Sequence, residues 1–330
     1  MLEQNIVSNM TVLQKQFTTT FPDLPFQLDY SLAQQTYFKV GGSAEVYLEL
    51  ADRKQIIALI KYCQENQIQF TIFGGGSNVI VSDKGVAGLV LKLTNDDFRI
   101  LGQEAKKTVV QVGAGLKTAL LVRQTVDRGL TGLEYFLGVP GNVGGAVYNN
   151  AHYLQSLISE HIFRVEIINN QGEPQWLDRA DCQFDYDTSR FQQTHEVILQ
   201  VEFALLIGKT EESQDLIRQA TLYRTQTQPL GLPSSGCIFQ NTPNNPELKK
   251  RFPQFANHSH VPSGFLIDQA GLKGEREGGI EVSEKHAAFF VNRDKGKASD
   301  IQKLINRVKS VVKQKFGVEL QEEVFWLGEV

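Results

Sequence analysis

Phe70-Thr71-Ile72-Phe73-Gly74-Gly75-Gly76-Ser77-Asn78 decides the fold, together with a second run, Pro140-Gly141-Asn142-Val143-Gly144-Gly145-Ala146, that leads into Asn149-Asn150-Ala151. The first run is a buried strand feeding three glycines. Glycine has no Cβ and reaches φ > 0 without strain, so such a loop leaves backbone N–H groups bare for a phosphate or a flat ring. Each run by itself also reads as a tight turn between strands. Two of them, each after an apolar or β-rich segment, point to a ligand with two halves, such as a dinucleotide. The spacing is neither Walker nor Rossmann: no Gly-Lys-Ser/Thr ending follows, and no Gly-x-Gly-x-x-Gly opens a helix after a strand. Gly113 and Gly115, after another strand, read as turn residues.

Working outward, Ala44 to Leu50 alternates as a strand, and Asp52 caps a helix whose Ile56, Ile57, Leu59, Ile60 and Cys63 recur at helical spacing. Val12 to Phe21 reads as a short helix, and Val79 to Val81, Leu89 to Leu93 and Val109 to Gly115 as strands. Thr118 to Arg128 reads as a helix stopped by Gly129. From Phe163 to Leu206 the pattern is mostly period two. A helix over Ser213 to Arg224 opens a third unit. Ser299 to Phe316 is amphipathic, with Ile301, Leu304, Ile305, Val308, Val311 and Val312 on one face, Gly317 capping it and Val324 to Leu327 ending the chain as a strand. The expected class is α+β, divided as an N-terminal segment 1–35, subdomains 36–94 and 95–207, a domain 208–318 and a closing strand 319–330.

A chain of 330 residues exceeds what one core usually supports. A net charge of −4 gives no electrostatic footprint for nucleic acid. Cys63, Cys182 and Cys237 are too scattered for a disulfide framework or a zinc site, and His258, His260 and His286 offer no metal-ligand spacing, so no metal is expected. Met1 to Phe21 is polar and lacks the basic and apolar regions of a signal peptide. With no apolar stretch long enough to span a bilayer, a cytosolic protein without membrane insertion is expected.

Thr36-Tyr37-Phe38-Lys39-Val40-Gly41-Gly42, the two glycine runs, Pro233 to Asn241, Leu266 to Gly274, Ser283-Glu284-Lys285-His286-Ala287 and Leu320-Gln321-Glu322-Glu323-Val324 form an ordered series. The series resembles the UDP-N-acetylenolpyruvoylglucosamine reductase (MurB) family, and it is collinear from about residue 36 to the end of the chain. The short Phe203 to Arg224 stretch resembles the branch without a tyrosine-bearing insertion in its third domain. The resemblance implies a vanillyl-alcohol-oxidase-type FAD-binding domain of two α/β subdomains and a C-terminal α+β substrate-binding domain. It implies FAD held by Gly74, Gly75, Gly76, Ser77, Asn78, Gly141, Gly144, Gly145 and Ala146. The implied reaction is NADPH-dependent reduction of UDP-N-acetylglucosamine enolpyruvate, in peptidoglycan precursor synthesis, and a monomer is expected.

Hydride reaching C3 of the enolpyruvyl group leaves negative charge on C2 and the carboxylate. The chain must therefore supply a cation or donors at the carboxylate and an acid over C2. The family's hydroxyl proton donor is replaced by Cys237. A thiol, ordinarily of pKa about 8.5, is a stronger acid than an alcohol. Glu323 matches the family's catalytic glutamate. The family pattern Tyr-Arg-x-Ser-x-Phe departs here, because Tyr186-Asp187-Thr188-Ser189-Arg190-Phe191 puts a carboxylate where the arginine belongs. Either Arg190 supplies the guanidinium from a shifted position, or it pairs with Asp187 and another cation such as Lys285 serves the substrate. Asn241, Gln269, Lys273, Lys285 and His286 are the candidates for binding the UDP-sugar. No separate nicotinamide fold is visible, which implies that NADPH and substrate take turns. Two other readings stay open: a different FAD oxidoreductase of the same superfamily, and a catalytically altered flavin- or UDP-sugar-binding protein.

Overall fold

Hydrophobic periodicity builds two cores in this chain, each with its own sheets. The computed structural model describes residues 10–104, 106–154 and 156–329. The start of the N-terminal segment and the last residue of the closing strand lie outside the described residues. The chain divides into two compact units that alternate along the sequence. Unit 1 takes 1–30, 44–75 and 87–222, and unit 2 takes 31–43, 76–86 and 223–330. The linear division at residues 207 and 208 expected from sequence is replaced by this interleaving.

Unit 1 carries two sheets. The first has four strands in the order Gln27–Ser31, Ser43–Leu50, Val86–Leu93, Phe70–Phe73, with the last pair parallel. The chain between these two parallel strands, residues 74–85, carries the first glycine run and the strand Val79–Val81, while the helix Arg53–Glu65 joins Ser43–Leu50 to Phe70–Phe73. Asp52 caps that helix by accepting from the Gln55 N–H, and Ile56, Leu59, Ile60 and Cys63 are its buried face. The second sheet runs Pro174–Asp178, Ile162–Ile168, Val197–Ile207, Lys107–Gly113, Phe98–Glu104, with Leu130–Thr131 alongside Val197–Ile207. Its neighbours are antiparallel. The period-two stretch after Phe163 thus belongs to the same compact unit as the first glycine-bearing strand.

Unit 2 is organised by the helix Ala298–Phe316, which buries Ile301, Leu304, Ile305, Val308 and Val312 and ends on Gly317 at φ 68°. Val79–Val81 pairs in parallel with Phe325–Leu327, and Gly41 and Gly42 approach this strand so closely that a Cβ on either would lie 2.5 Å from Val81 Cβ or Asp83 O. The start of the helix is capped from 215 residues away in sequence: Asp83 accepts the N–H groups of Ala298 at 2.9 Å and Ser299 at 3.0 Å. Burial raises the Asp83 carboxyl. The hydrogen bonds from Ser299 and Ala298 and the Lys297 charge outweigh it and hold the group below the usual carboxylate range.

An ionised cap stabilises the fold. Its contribution is complete above the unfolded carboxyl value of about 3.9 and is lost as the pH falls through the lower folded value. Asp83→Ala is therefore expected to cost about 1 kcal/mol near neutral pH, the usual worth of a cap, and progressively less below pH ~4. Urea midpoints measured across that range check it. A cost that does not shrink in acid would mean that the carboxylate is not the cap.

Candidate active site

Asn142 organises the second glycine run of unit 1. Its Oδ1 accepts the Gly145 N–H at 3.0 Å and makes Asn142 the N-cap of a short helix, Val143–Tyr148. Gly144, Gly145 and Ala146 therefore lie in a helix, not in the open loop expected from sequence. In this run only Gly141 uses the left-handed region, at φ 103°. The low helix propensity of two glycines hides the helix from sequence reading, although Asn142 in front of them is the capping signal. The helix starts against the residues that follow the strand Lys107–Gly113. Gly144 N–H donates to Ala114 O and Val143 N–H to Leu116 O, each at 2.8 Å.

The two glycine runs meet backbone to backbone within this unit. A Cβ on Gly75 would lie 2.3 Å from Gly141 Cα, and one on Gly74 would lie 3.1 Å from Asn142 Oδ1. No side chain fits where Gly75 sits. Two buried polar atoms on this run's own neighbours, Thr118 Oγ1 and Asn149 Oδ1, have no hydrogen-bond partner among the described residues. Thr118 N–H bonds to Gly141 O at 3.2 Å, and Asn149 ends the short helix. Buried polar atoms of this kind are costly unless a ligand meets them. A side-chain-free backbone cradle with unsatisfied polar groups beside it fits the flavin dinucleotide expected from sequence. Thr118, Asn142 and Asn149 are candidates to hold such a group that the glycine count alone did not reveal.

In unit 2 the chain around Cys237 is zipped on both sides. Cys237 bridges to Phe289, and Ile238 N–H donates to Ala288 O at 2.8 Å. On its other side Phe239 bridges to Glu322, Glu323 N–H donates to Ile238 O at 2.9 Å, and Gln240 N–H donates to Gln321 O at 2.9 Å. The backbone thus brings together Cys237 and Glu323, which are remote in sequence. Asn78 braces the same place: its side-chain amide donates to Glu323 O at 3.1 Å, and Phe325 N–H donates to Asn78 O at 3.1 Å. Asn78 was expected as a cofactor donor, and here its amide positions the glutamate segment. Glu319 and Glu322, the neighbouring carboxylates, are engaged by Lys313 and Lys309. Cys63 and Cys182 are buried, and burial pushes both thiols up to about 12, so neither is suited to proton transfer. Cys237 is partly exposed.

Arg190 does not take the place expected of it. Its Nε and Nη2 both bond the Glu196 carboxylate at 3.0 Å, and Nη1 donates to Asp181 O at 3.1 Å. A bidentate pair with a nearly buried carboxylate commits the guanidinium to holding the Phe191–Thr194 turn. The helical turn that would have joined Asp187 to Arg190 does not form, because Asp187 sits at φ 53° and the helix starts at Phe191. Asp187 pairs instead with His152, Oδ1 to Nδ1 at 2.8 Å.

The UDP-sugar candidates all lie in unit 2 but carry different local duties. Asn241 Oδ1 accepts the Ser263 N–H at 3.2 Å at the start of the helix Ser263–Gln269, whose last residue is the exposed Gln269. Lys273 pairs with Asp268 at 2.8 Å, and Lys285 Nζ donates to Thr225 O. Lys285 and His286 lie on the turn that leads to Phe289, the bridge partner of Cys237. The His286 ring packs edge-on to Phe289 at 4.9 Å, and burial lowers its pKa below the usual imidazole value. It is a neutral ring at pH 7, suited to hydrogen bonding but not to binding a phosphate by charge. Among the described residues no group of three His, Cys, Asp or Glu is placed to hold a metal, and no helix is long and apolar enough to cross a membrane.

The chain is similar to known proteins along most of its length. An FAD-binding-domain model matches residues 44–178, and a model of the UDP-N-acetylenolpyruvoylglucosamine reductase C-terminal domain matches residues 228–327. A UDP-N-acetylenolpyruvoylglucosamine reductase from Staphylococcus aureus (strain COL) is 36% identical over 308 residues, covering 93% of this chain and 94% of that protein. The same enzyme from S. aureus strain JH9 gives the same identity and coverage. The crystal structure of UDP-N-acetylenolpyruvylglucosamine reductase (MurB) from Thermus caldophilus superposes with a TM-score of 0.73 at 27% identity, covering 92% of this chain and 99% of that one. The two domain models and a relative 36% identical over 93% of this chain agree, and the chain belongs to the UDP-N-acetylenolpyruvoylglucosamine reductase family of FAD-dependent oxidoreductases.

Proposed function

We propose that this chain reduces UDP-N-acetylenolpyruvoylglucosamine to UDP-N-acetylmuramate with NADPH as electron source, that Cys237 is its proton donor, and that Glu323 works beside Cys237. The reaction forms a peptidoglycan precursor and is placed in the cytoplasm, carried out by a monomer. Gly74, Gly75, Gly76, Ser77, Gly141, Gly144, Gly145 and Ala146, with the buried oxygens of Thr118 and Asn149, would hold FAD. Bound there, FAD would supply the hydride chemistry that links NADPH to C3 of the enolpyruvyl ether.

The remaining work falls to the chain. C2 gains an electron pair as C3 gains hydrogen, and the Cys237 S–H gives its proton to C2, leaving a thiolate that water reprotonates. Glu323, whose N–H bonds to the carbonyl of Ile238 next to Cys237, would hold charge or a proton near that thiol. Lys285, Gln269, Lys273 and Asn241 supply donors and positive charge for a diphosphate and a hydroxyl-rich sugar. Hydrogen bonds made by Asn241 and Lys273 in the free chain would have to exchange for ligand contacts.

The observation that carries this reading is the backbone ladder that joins residues 238–240, directly after Cys237, to 321–323. The test is direct. Purified protein supplied with NADPH and UDP-N-acetylenolpyruvoylglucosamine is expected to give a product heavier by two hydrogens, and in D2O one deuterium is expected at C2. A yellow protein that oxidises NADPH without forming that product would contradict the reading.

A further inference from the structure

We propose that His152, held by Asp187, is the donor that meets the carboxylate of the molecule reduced at the flavin, in the role that a guanidinium at position 187 would otherwise fill. This inference rests on the functional reading above.

Three observations carry it. The first is chemical need. Reduction of an enolpyruvyl group spreads negative charge onto its carboxylate, which calls for a preorganised donor. Asp187 cannot serve, and Arg190 is bound to Glu196.

The second is the state of Asp187. Its side chain is 7% exposed and its backbone is left-handed at φ 53°, a conformation that costs energy in any residue with a Cβ. One oxygen meets His152 Nδ1 at 2.8 Å, and the other, Oδ2, is buried without a hydrogen-bond partner among the described residues. A buried, half-satisfied carboxylate on a strained backbone is expensive. Holding an imidazole in a fixed orientation explains it. With Nδ1–H given to the carboxylate, the ring is locked, and a protonated Nε2 becomes an aimed N–H donor.

The third is location. Asp187 and His152 are anchored to the helix that follows Asn142. Ser189 Oγ and Gln192 Nε2 donate to Tyr148 O at 2.7 and 3.1 Å, and Gln192 Nε2 also reaches Asp187 O at 3.0 Å. Asn150 Nδ2 donates to Asp185 O at 2.8 Å, and the Tyr186 ring packs on His152 at 5.1 Å between centroids. The ties from Ser189, Gln192 and Asp185 therefore run to residues 148 and 150, in the segment that follows the glycine cradle of the same unit. Sequence alone does not link 152 with 187.

In the doubly protonated form that this role requires, the ring and the carboxylate make a net-neutral pair, which acts by a directed hydrogen bond more than by net charge. His152 would touch the ligand, and Asp187 would be a positioning residue.

The test compares two ligands by titration calorimetry on the FAD-loaded protein: UDP-N-acetylenolpyruvoylglucosamine and UDP-N-acetylglucosamine, which lacks the carboxylate. His152→Gln is expected to weaken the first about 10- to 100-fold, the worth of one charge-assisted hydrogen bond, and to leave the second within about 2-fold. The same variant is expected to keep NADPH-driven bleaching of the flavin and to slow the colour's return on adding the enolpyruvyl substrate. Added imidazole is expected to restore part of that return in His152→Gly, which guards against a merely structural defect. Asp187→Asn, which keeps a hydrogen-bonding group but removes the charge, is expected to fall between wild type and His152→Gln. Equal losses for both ligands, or none for either, would overturn the proposal. Wild-type protein that fails to favour the enolpyruvyl ligand at all would instead strike at the functional reading.

Discussion

Cys237→Ala is expected to cut turnover by about three orders of magnitude, within the ~10²–10⁴ that a positioned acid contributes. Bleaching of the bound flavin by NADPH should remain within a few-fold of wild type. The split follows from where the proton is needed. Electron delivery from NADPH requires no proton at C2, whereas reduction of the enolpyruvyl ether stalls if C2 is left with an unneutralised electron pair. The substitution removes the thiol and leaves the backbone untouched, so the bonds that tie residues 238 and 240 to Ala288, Gln321 and Glu323 should persist.

Cys237→Ser should recover a substantial part of the lost rate, because a hydroxyl also carries a transferable proton, though as a weaker acid. Stopped-flow measurement of the two half-reactions separates the cases. If Cys237→Ala slows both half-reactions alike, the thiol is not the proton donor and the residue acts through the fold.

Gly75→Ala is expected to abolish flavin binding, with affinity falling by more than about 100-fold. The added Cβ would stand 2.3 Å from Gly141 Cα, 2.9 Å from Gly141 C and 3.1 Å from Asn142 N. All three are backbone atoms, so no flexible side chain can swing aside. One of the two glycine runs must move, and Asn142 resists because its side chain and backbone both hold the helix start. Gly75 is not among the positive-φ residues, so the effect is one of space alone. The purified variant should be colourless while its circular dichroism stays near that of wild type. Retained yellow colour at normal stoichiometry would show that the meeting of the two runs does not shape the cofactor site.

How much of this was legible beforehand depends on the distance over which each signal acts. The helix Ala298–Phe316 was readable to within a residue, because its apolar stripe and Gly317 are local. The strand Phe70–Phe73 and its glycines were readable for the same reason. Asp83 as the cap of a helix starting at Ala298 was not, since nothing in either segment's periodicity names its partner. The same holds for the strand Val79–Val81, which pairs with Phe325–Leu327 and so draws residues 76–86 out of the unit that precedes them.

At the site, Cys237 and Glu323 could be chosen by motif, but the ladder between them could not. Arg190 illustrates the limit most clearly. A three-residue spacing suggested a shared helical face with Asp187, and the left-handed turn at Asp187 sends each side chain to a different partner, Glu196 for one and His152 for the other. The presence of a lone histidine beside the second glycine run carried no sign of that pairing.

The most direct test of the central claim is an anaerobic colour cycle on the purified protein. The expected protein is yellow, is bleached by NADPH and is restored to yellow by one equivalent of UDP-N-acetylenolpyruvoylglucosamine, with UDP-N-acetylmuramate released. A protein that takes up no flavin, or one that stays bleached in the presence of that substrate, would contradict it.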